Sequence, residues 1–266
     1  MNPLLMPAAA AAGALALVAT GHRHAIALPN AGSTEQILRR FVEDFRSDPA
    51  AATARTFAIR VRGDDGGSWT VEVTGEQADD GQWGVVLRPG EPRTPTFYYA
   101  LSAAMLVAID AGRLNALTAQ GKAFADEVAP METEFMAGAE PFDANPFSFH
   151  FWTRGFPEKV ALDAQLARRV HGVKNIPIYY EQGLRTIWST IQKGERVNNG
   201  PGQPMLVPFP ILVVGIKGRA IGTMNGKPVE AKAGEVVFIP PLTPYEWWNE
   251  DDEPCEALLV MFGAGA

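Results

Sequence analysis

The chain of 266 residues is long enough for two domains of ordinary size, and its 47% hydrophobic and 20% charged residues are typical of a folded protein rather than a disordered one. Its net charge of -7 and the lack of a Lys/Arg-rich block argue against nucleic acid as a partner. The single cysteine, Cys255, excludes an intrachain disulfide and any site built from several thiolates.

Residues 1–32 contain an apolar run from Leu4 to Thr20. Ala25-Ile26-Ala27 has the form of a signal-peptide cleavage site, but the cationic residues follow the apolar run instead of preceding it. The run is also rich in alanine and contains proline, whereas a membrane span needs about 20 strongly apolar residues. We therefore expect an uncleaved segment on a cytoplasmic protein. A cleaved signal peptide, or association with a membrane or a complex through this segment, is the alternative.

A helix is predicted from Ser33 onward. Ser33 and Gln36 have the spacing of a capping box, in which each side chain satisfies a backbone N–H of the other residue. The apolar residues that follow recur at helical spacing and predict one buried face: Ile37, Leu38, Phe41, Val42 and Phe45.

Alternating apolar and polar residues then predict three strands, over 57–61, 69–73 and 83–87, joined by Gly/Asp turns. Such strands form an antiparallel meander with one covered face. A fourth strand, Thr96 to Ala100, leads through Ser102 into a helix that ends at Gly112, as expected for a C-cap glycine. A second short helix is predicted over 115–124.

This order of elements, together with the steps Gly112-Arg113-Leu114 and Gly121-Lys122, resembles the sterol carrier protein 2 family over residues 33–130. The resemblance implies an α+β domain with an apolar tunnel for a lipid, acyl chain or sterol. It also implies a last strand after Lys122, whose position residues 123–132 leave open. Eight apolar residues would line the tunnel, although an ordinary core needs the same residue types: Phe97, Tyr99, Leu101, Met105, Leu106, Ile109, Leu114 and Phe124.

Residues 131–170 read as a connector that is rich in proline and aromatic residues. A connector of this length and composition is expected to pack over a domain rather than remain in solvent. Residues 160–172 are compatible with a helix whose inward residues are Ala161, Leu162 and Leu166. His150 is open to two interpretations, a packed structural histidine or a ligand or base.

Residues 171–266 contain six β-rich segments separated by Gly, Pro and Asn-Gly, the layout of a small double-sheet barrel. They resemble the cupin family. The family's second motif runs Gly, five residues, Pro, one residue, Gly, two residues, His, three residues, Asn. Five residues keep its spacing without a gap: Gly234, Pro240, Leu242, Tyr245 and Asn249. The fold class expected for the chain is therefore an α+β domain followed by an all-β jelly roll.

The cupin resemblance implies a metal site whose ligands this chain lacks. Tyr245 stands at the motif histidine, and Ile211 stands at the metal-binding glutamate, seven residues before Gly218. The first motif opens at Gly194, and its two histidines should fall within 204–207, where the sequence is Pro-Met-Leu-Val. Transition metals need converging N, O or S donors. We therefore predict no metal and no other cofactor.

A barrel without its metal still has an interior. The residues expected to line it are apolar or aromatic: Trp188, Met205, Ile211, Tyr245 and Trp247. Such side chains suit a hydrophobic guest, and they equally suit a barrel that is simply plugged by its own residues.

These observations favour a non-catalytic binding protein for a lipid, sterol or other hydrophobic small molecule. The cupin domain would supply a second pocket or a homodimer interface. One alternative is a metal-independent isomerase or epimerase with Tyr245 as acid and Glu181 or Glu195 as base, or with His171 nearby. Another is a subunit of a larger assembly.

Overall fold

The computed structural model describes residues 32–122, 127–139, 142, 144–153, 160–200, 204 and 206–266. The segment 1–31, Phe124 and Met205, to which sequence-based predictions were attached, lie outside the described residues. Ala31–Ala266 form one compact unit. Within the described ranges, no helix combines the length and the apolar character that crossing a membrane requires.

The first helix, α1 (Thr34–Phe45), confirms the predicted capping box. Gln36 N–H donates to Ser33 Oγ at 3.4 Å, and Ser33 N–H donates to Gln36 Oε1 at 2.9 Å. The predicted apolar face is buried, since none of its five residues is more than 6% exposed. Helix α1 therefore packs as a layer on the sheet that follows it.

The first sheet has five strands in the order β3-β2-β1-β4-β5. The three predicted strands form the meander, and β4 joins on the other side of β1 as its parallel neighbour. Helix α2 (Ala103–Asp110) ends before Gly112, which has a φ of +66°, and α3 (Ala116–Gln120) follows. The strands are β1 (Arg55–Arg62), β2 (Gly67–Gln77), β3 (Trp83–Pro89), β4 (Phe97–Ser102) and β5 (Met131–Phe135).

The segment predicted as a connector contributes to this first layer. Strand β5 pairs with β4 and completes the sheet edge that the sequence left open. Helix α4 (Ala144–Trp152) packs against the same core as α1 through Phe147, Phe151 and Trp152. The ring centroids of Phe41 in α1 and Trp152 in α4 are 4.9 Å apart. Aromatic burial on the sheet explains why this segment does not remain in solvent.

The prediction of a helix over residues 160–172 is wrong. Residues 168–170 form strand β6, and Ala161 and Leu162 are exposed rather than inward. His171 and Gly172 have positive φ values of 54° and 90° and form a two-residue turn that pairs β6 with β7. This turn chemistry, which favours a tight hairpin, prevails over helical periodicity.

The remaining strands form two facing sheets, with orders β13-β10-β15-β8-β7-β6 and β12-β11-β14-β9. Asn225 and Gly226, both at positive φ, make the predicted hairpin turn between β11 and β12. The strands are β6 (Arg168–Val170), β7 (Val173–Glu181), β8 (Leu184–Ile191), β9 (Arg196–Val197), β10 (Ile211–Lys217), β11 (Arg219–Met224), β12 (Lys227–Lys232), β13 (Val236–Ile239), β14 (Tyr245–Trp248) and β15 (Cys255–Phe262).

Helices α3 and α4 connect the first sheet to the barrel. Leu117 of α3 and Phe149 of α4 pack against Tyr180 of β7. Asn115 Nδ2 donates to the carbonyl oxygen of Pro177 at 2.8 Å. Arg168 donates to the carbonyl oxygen of Gly121 at 2.8 Å. The first sheet and the barrel thus share an interface. The domain boundaries predicted from the sequence, after residues 130 and 170, stay predictions.

The aromatic packing of α4 yields a stability prediction. Phe151 is 1% exposed and its ring contacts those of Phe45 and Phe57. Phe151→Ala should lower the free energy of unfolding by about 3–5 kcal/mol, because it removes a buried ring and leaves a cavity. Leu162→Ala is the control: Leu162 is 48% exposed, so its loss should change stability by about 0.5 kcal/mol or less. Urea denaturation measures both, and equal effects would contradict the placement of α4.

Candidate functional site: a cavity inside the barrel

A partly open cavity of about 250 Å³ lies inside the barrel. Alternating residues of β8 and β15 face it, so that Ile187, Ser189 and Ile191 line it from one strand and Ala257, Leu259 and Met261 from the other. Val213 of β10, Ala220 of β11 and Ala231 of β12 add to a wall that is mostly apolar. The cavity is therefore suited to a hydrophobic guest.

Helix α3 closes part of this cavity, although it follows the first sheet in the chain. Leu117, Thr118 and Gly121 all line the cavity. Gly121 lies so close to the barrel that a Cβ atom built on it would be 2.8 Å from Val170 Cγ2. The site is thus built from both halves of the described chain.

The predicted lining residues of the barrel divide into two groups. Ile211, Tyr245 and Trp247 line the cavity. Trp188 is 2% exposed but does not line the cavity. Its neighbours in β8, Ile187 and Ser189, face the cavity, so Trp188 lies on the opposite face of the strand, paired with Ile176 of β7. Sequence reasoning missed the contributions of α3 and of Val197 in β9, which also lines the cavity. No local pattern signals them, since both depend on long-range packing.

The second cupin motif adopts its expected turn. Leu242, at the position of the motif glycine, has a φ of +56°, which favours glycine, and its side chain is 62% exposed. Asn249 is fully buried and donates to the carbonyl oxygens of Ile191 at 3.0 Å and Glu253 at 2.8 Å. The motif positions of Leu242 and Asn249 thus keep their structural roles, the first in the turn and the second in buried hydrogen bonds.

The residues at the metal-ligand positions do not fit a metal ion. Ile211 supplies no donor atom, and Val207 lines the cavity where a histidine is expected. Tyr245 supplies only a phenol, whose pKa is raised by burial, with a smaller opposing effect from a hydrogen bond to Asn198. Within the described part of the chain, no three His, Cys, Asp or Glu side chains converge as a metal site would require.

Two further titratable groups line the cavity, and both are held in their uncharged forms. Burial lowers the pKa of His171 and, as the larger of two causes, raises the pKa of the Cys255 thiol to about 11. The two carboxylates considered as bases lie elsewhere. Glu195 accepts from the backbone N–H of Gln192 and pairs with Arg169, and Glu181 accepts from His150. Neither Glu181 nor Glu195 lines the cavity.

The seven predicted tunnel residues that the structure describes lie in or against a packed core. Five of them are at most 6% exposed, and Met105 and Leu114 pack against the same cluster. The hydroxyl of Tyr99 lies 2.8 Å from Ser148 Oγ, and burial raises its pKa. A cavity of about 50 Å³ beside Ile109 and Leu114 is much smaller than a lipid. Lipid binding by this half stays a prediction. The five buried residues are Phe97, Tyr99, Leu101, Leu106 and Ile109.

A cleft of about 860 Å³ lies outside the barrel, with His150 on its wall. His150 Nδ1 lies 3.0 Å from Asp48 Oδ2, and Nε2 lies 2.6 Å from Glu181 Oε2. The hydrogen bond to Asp48 is the main reason why the pKa of His150 rises to about 9, and Glu181 adds to it against the cost of burial. At neutral pH this imidazolium links α4 and the segment before β1 to the end of β7.

Comparison with known proteins supports the cupin assignment of the C-terminal part. Residues 211–261 match the cupin domain family. The match supports a cupin domain in the C-terminal part of the chain. A search of curated proteins finds no match. The resemblance of residues 33–130 to the sterol carrier protein 2 family is not confirmed by these comparisons.

Solved structures with some similarity include several cupins. The plu4264 protein from Photorhabdus luminescens is 12% identical over 41% of this chain and 88% of its own, with a TM-score of 0.36. A cupin 2 conserved barrel domain protein from Salinispora arenicola is 19% identical over 41% of this chain and 92% of its own, with a TM-score of 0.36. A predicted oxalate decarboxylase from Thermotoga maritima is 19% identical over 34% of this chain and 79% of its own, with a TM-score of 0.30. These scores are too low to carry an argument about function.

The contact of His150 with two carboxylates predicts a pH-dependent contribution to stability. The pKa of His150 is raised from 6.5 to about 9 on folding. The stabilisation is therefore complete below pH 6.5 and is lost as the pH rises through 9. His150→Gln should lower the urea midpoint most at pH 6, and the difference from wild type should disappear by pH 10. Glu35→Gln, which removes an exposed ion pair with Arg39, is the control and should have the same small effect at both pH values. A His150→Gln effect of equal size at pH 6 and pH 10 would contradict the assignment.

Proposed function

We propose that this protein binds a small hydrophobic molecule inside the barrel of its cupin domain, without a metal and without catalysis. The observation that carries the proposal is the mostly apolar cavity of about 250 Å³ beside the positions where the family holds its metal. A mostly apolar cavity favours apolar guests, because water against an apolar wall loses hydrogen bonds.

The size of the cavity narrows the class of ligand. Pockets for drug-sized molecules measure roughly 300–1,000 Å³, so a cavity of about 250 Å³ suits a single ring or a short chain. A sterol or a long acyl chain is larger. Such a lipid would need the tunnel implied for the first sheet, where the described predicted residues pack as a core.

The residues at the expected ligand positions support the proposal that no metal takes part. A divalent ion beside Ile211 and Tyr245 would lie in an apolar cavity without paired imidazole or carboxylate ligands, at a large cost in free energy. The proposal therefore assigns the motif turn a structural role and assigns the cavity to an uncharged guest.

A metal-independent isomerase or epimerase is the second candidate. His171 and Tyr245 both line the cavity, and at neutral pH one is an uncharged imidazole and the other an uncharged phenol. This pair could serve as base and acid. Glu181 and Glu195 cannot serve, because both are engaged outside the cavity. We favour binding because the wall is mostly apolar.

A homodimer through the cupin domain is also proposed. The outer face of β10 and of edge strand β13 exposes large apolar residues, among them Ile216 at 48%, Val236 at 59% and Phe238 at 50%. Exposed apolar surface on an edge strand is a common pairing surface. Membrane or complex association through residues 1–32 likewise remains a proposal.

Filling the cavity tests the proposed function. Ala231 is 6% exposed and lines the cavity, whereas Ala233, two residues further along, is exposed. Wild-type protein should bind toluene saturably by calorimetry. Ala231→Phe should weaken that binding by about tenfold or more, because the new ring takes the place of the ligand. Ala233→Phe should leave the affinity unchanged. Wild-type protein that shows no saturable binding of toluene would contradict the proposed function.

A further inference from the structure

Arg55, the first residue of β1, is a half-buried arginine with no carboxylate partner among the described residues. Burial is the main effect on its pKa, which it lowers, and the smaller opposing effect comes from Tyr99 rather than from an acidic side chain. A guanidinium stays charged at neutral pH, and charges that are withdrawn from water are normally paired. Arg55 therefore carries a positive charge that the described part of the chain does not balance.

Aromatic rings hold the guanidinium of Arg55 in place. Its central carbon, Cζ, lies 3.5 Å from the ring centroid of Phe142 and 5.3 Å from that of Phe147. The shorter distance is that of direct stacking. Stacking covers one face of the guanidinium and leaves the N–H groups in its plane for other partners.

The three nitrogens of this guanidinium differ in their access to solvent. Nε of Arg55 is buried and has no hydrogen-bond partner among the described residues. The two terminal nitrogens, Nη1 and Nη2, also lack an acceptor among the described residues, but they are not buried. The terminal nitrogens are therefore the atoms that a ligand can reach.

Arg55 lines the cleft of about 860 Å³ that has His150 on its wall. Pro146 and Phe147 line the cleft beside it, and Gln182, in the turn after β7, lines it from the barrel. This volume lies within the roughly 300–1,000 Å³ of pockets for drug-sized ligands. No described residue lines both this cleft and the barrel cavity, so the two are separate.

The other charged groups of the cleft are already engaged. The imidazolium of His150 lies between Asp48 and Glu181, at 3.0 and 2.6 Å. An oxygen of Ala266, which also lines the cleft, accepts from the backbone N–H of Gly183 at 3.0 Å. These acidic groups disfavour a ligand with more than one negative charge, because like charges repel. The cleft therefore suits a ligand with a single negative charge.

We propose that this cleft is a second binding site, for a small organic molecule with one carboxylate and an apolar body. The terminal nitrogens of Arg55 donate to the two carboxylate oxygens, since the planar guanidinium matches a carboxylate in a bidentate arrangement. The apolar body packs against Pro146 and Phe147. A phosphate monoester, which carries nearly two charges, fits less well beside Glu181.

A pair of probes of similar size tests the role of the charge. Benzoate carries a carboxylate where benzamide has a neutral amide on the same ring. Wild-type protein should bind benzoate saturably by calorimetry at low ionic strength. Benzamide should bind about tenfold more weakly or worse, because hydrogen bonds between two charged groups are stronger than those to a neutral group.

Variants at Arg55 test its role directly. Arg55→Met removes the charge and should weaken benzoate binding by about tenfold or more, while benzamide binding stays unchanged. Arg55→Lys keeps the charge but loses the planar fork, and should weaken benzoate by about 2- to 10-fold. Arg93→Met is the matched control, because Arg93 is exposed and lies outside the cleft. It should leave the benzoate affinity unchanged.

The Ala231→Phe variant separates this site from the barrel cavity. Ala231 lines the barrel cavity and not the cleft, so Ala231→Phe should leave benzoate binding unchanged. Benzoate binding that is lost in Ala231→Phe and kept in Arg55→Met would overturn the inference, while the proposed function would stand. Wild-type protein without saturable benzoate binding would also overturn it. If Arg55→Met does not fold, Arg55→Lys decides, and a wild-type benzoate affinity in that variant would contradict the role of Arg55.

Discussion

Tyr245 lies between two apolar clusters inside the barrel, and its place there decides what the cavity can hold. One cluster gathers residues such as Ile191, Ala220 and Trp247, and the other gathers residues such as Ile211 and Ile239. Tyr245 packs against both. A histidine in this position could bind a metal, whereas the partly buried phenol of Tyr245, hydrogen-bonded to Asn198, is uncharged and forms part of the cavity wall. The character of the cavity follows from this replacement and from Ile211 beside it.

The second constraint is the contact between the barrel and the first sheet. Helix α3 supplies part of the cavity wall, and Gly121 allows its close approach to Val170. His150 adds an ionic contact at the edge of the same interface. A change in this interface therefore alters the cavity, because one wall of the binding site belongs to the other set of secondary-structure elements.

Local patterns in the sequence predicted the elements whose determinants are close in the chain. The capping box of Ser33 and Gln36, the alternation in β1 to β3 and the Asn225-Gly226 turn are of this kind. The cupin motif spacing also predicted the turn between β13 and β14. The His171-Gly172 turn was missed because a histidine at positive φ is uncommon, and the helical spacing of 160–172 outweighed it.

The parts of the site that escaped prediction depend on long-range contacts. Nothing near Leu117 or Thr118 shows that α3 faces a barrel built from residues far along the chain. The inward face of Trp247 was predicted from the motif. The orientation of its indole depends on Gly222 in a neighbouring strand. Trp188 was misplaced because alternation along β8 defines two faces without saying which one faces inward.

The most direct test of the central claim, a mostly apolar cavity in place of a metal site, is a crystal structure of the protein under xenon pressure. Xenon enters dry apolar cavities and is visible by its scattering. We predict a xenon atom inside the barrel, enclosed by Tyr245, Trp247 and α3. A metal ion held there by protein side chains would contradict the account, and so would a barrel interior filled by its own side chains with no xenon bound.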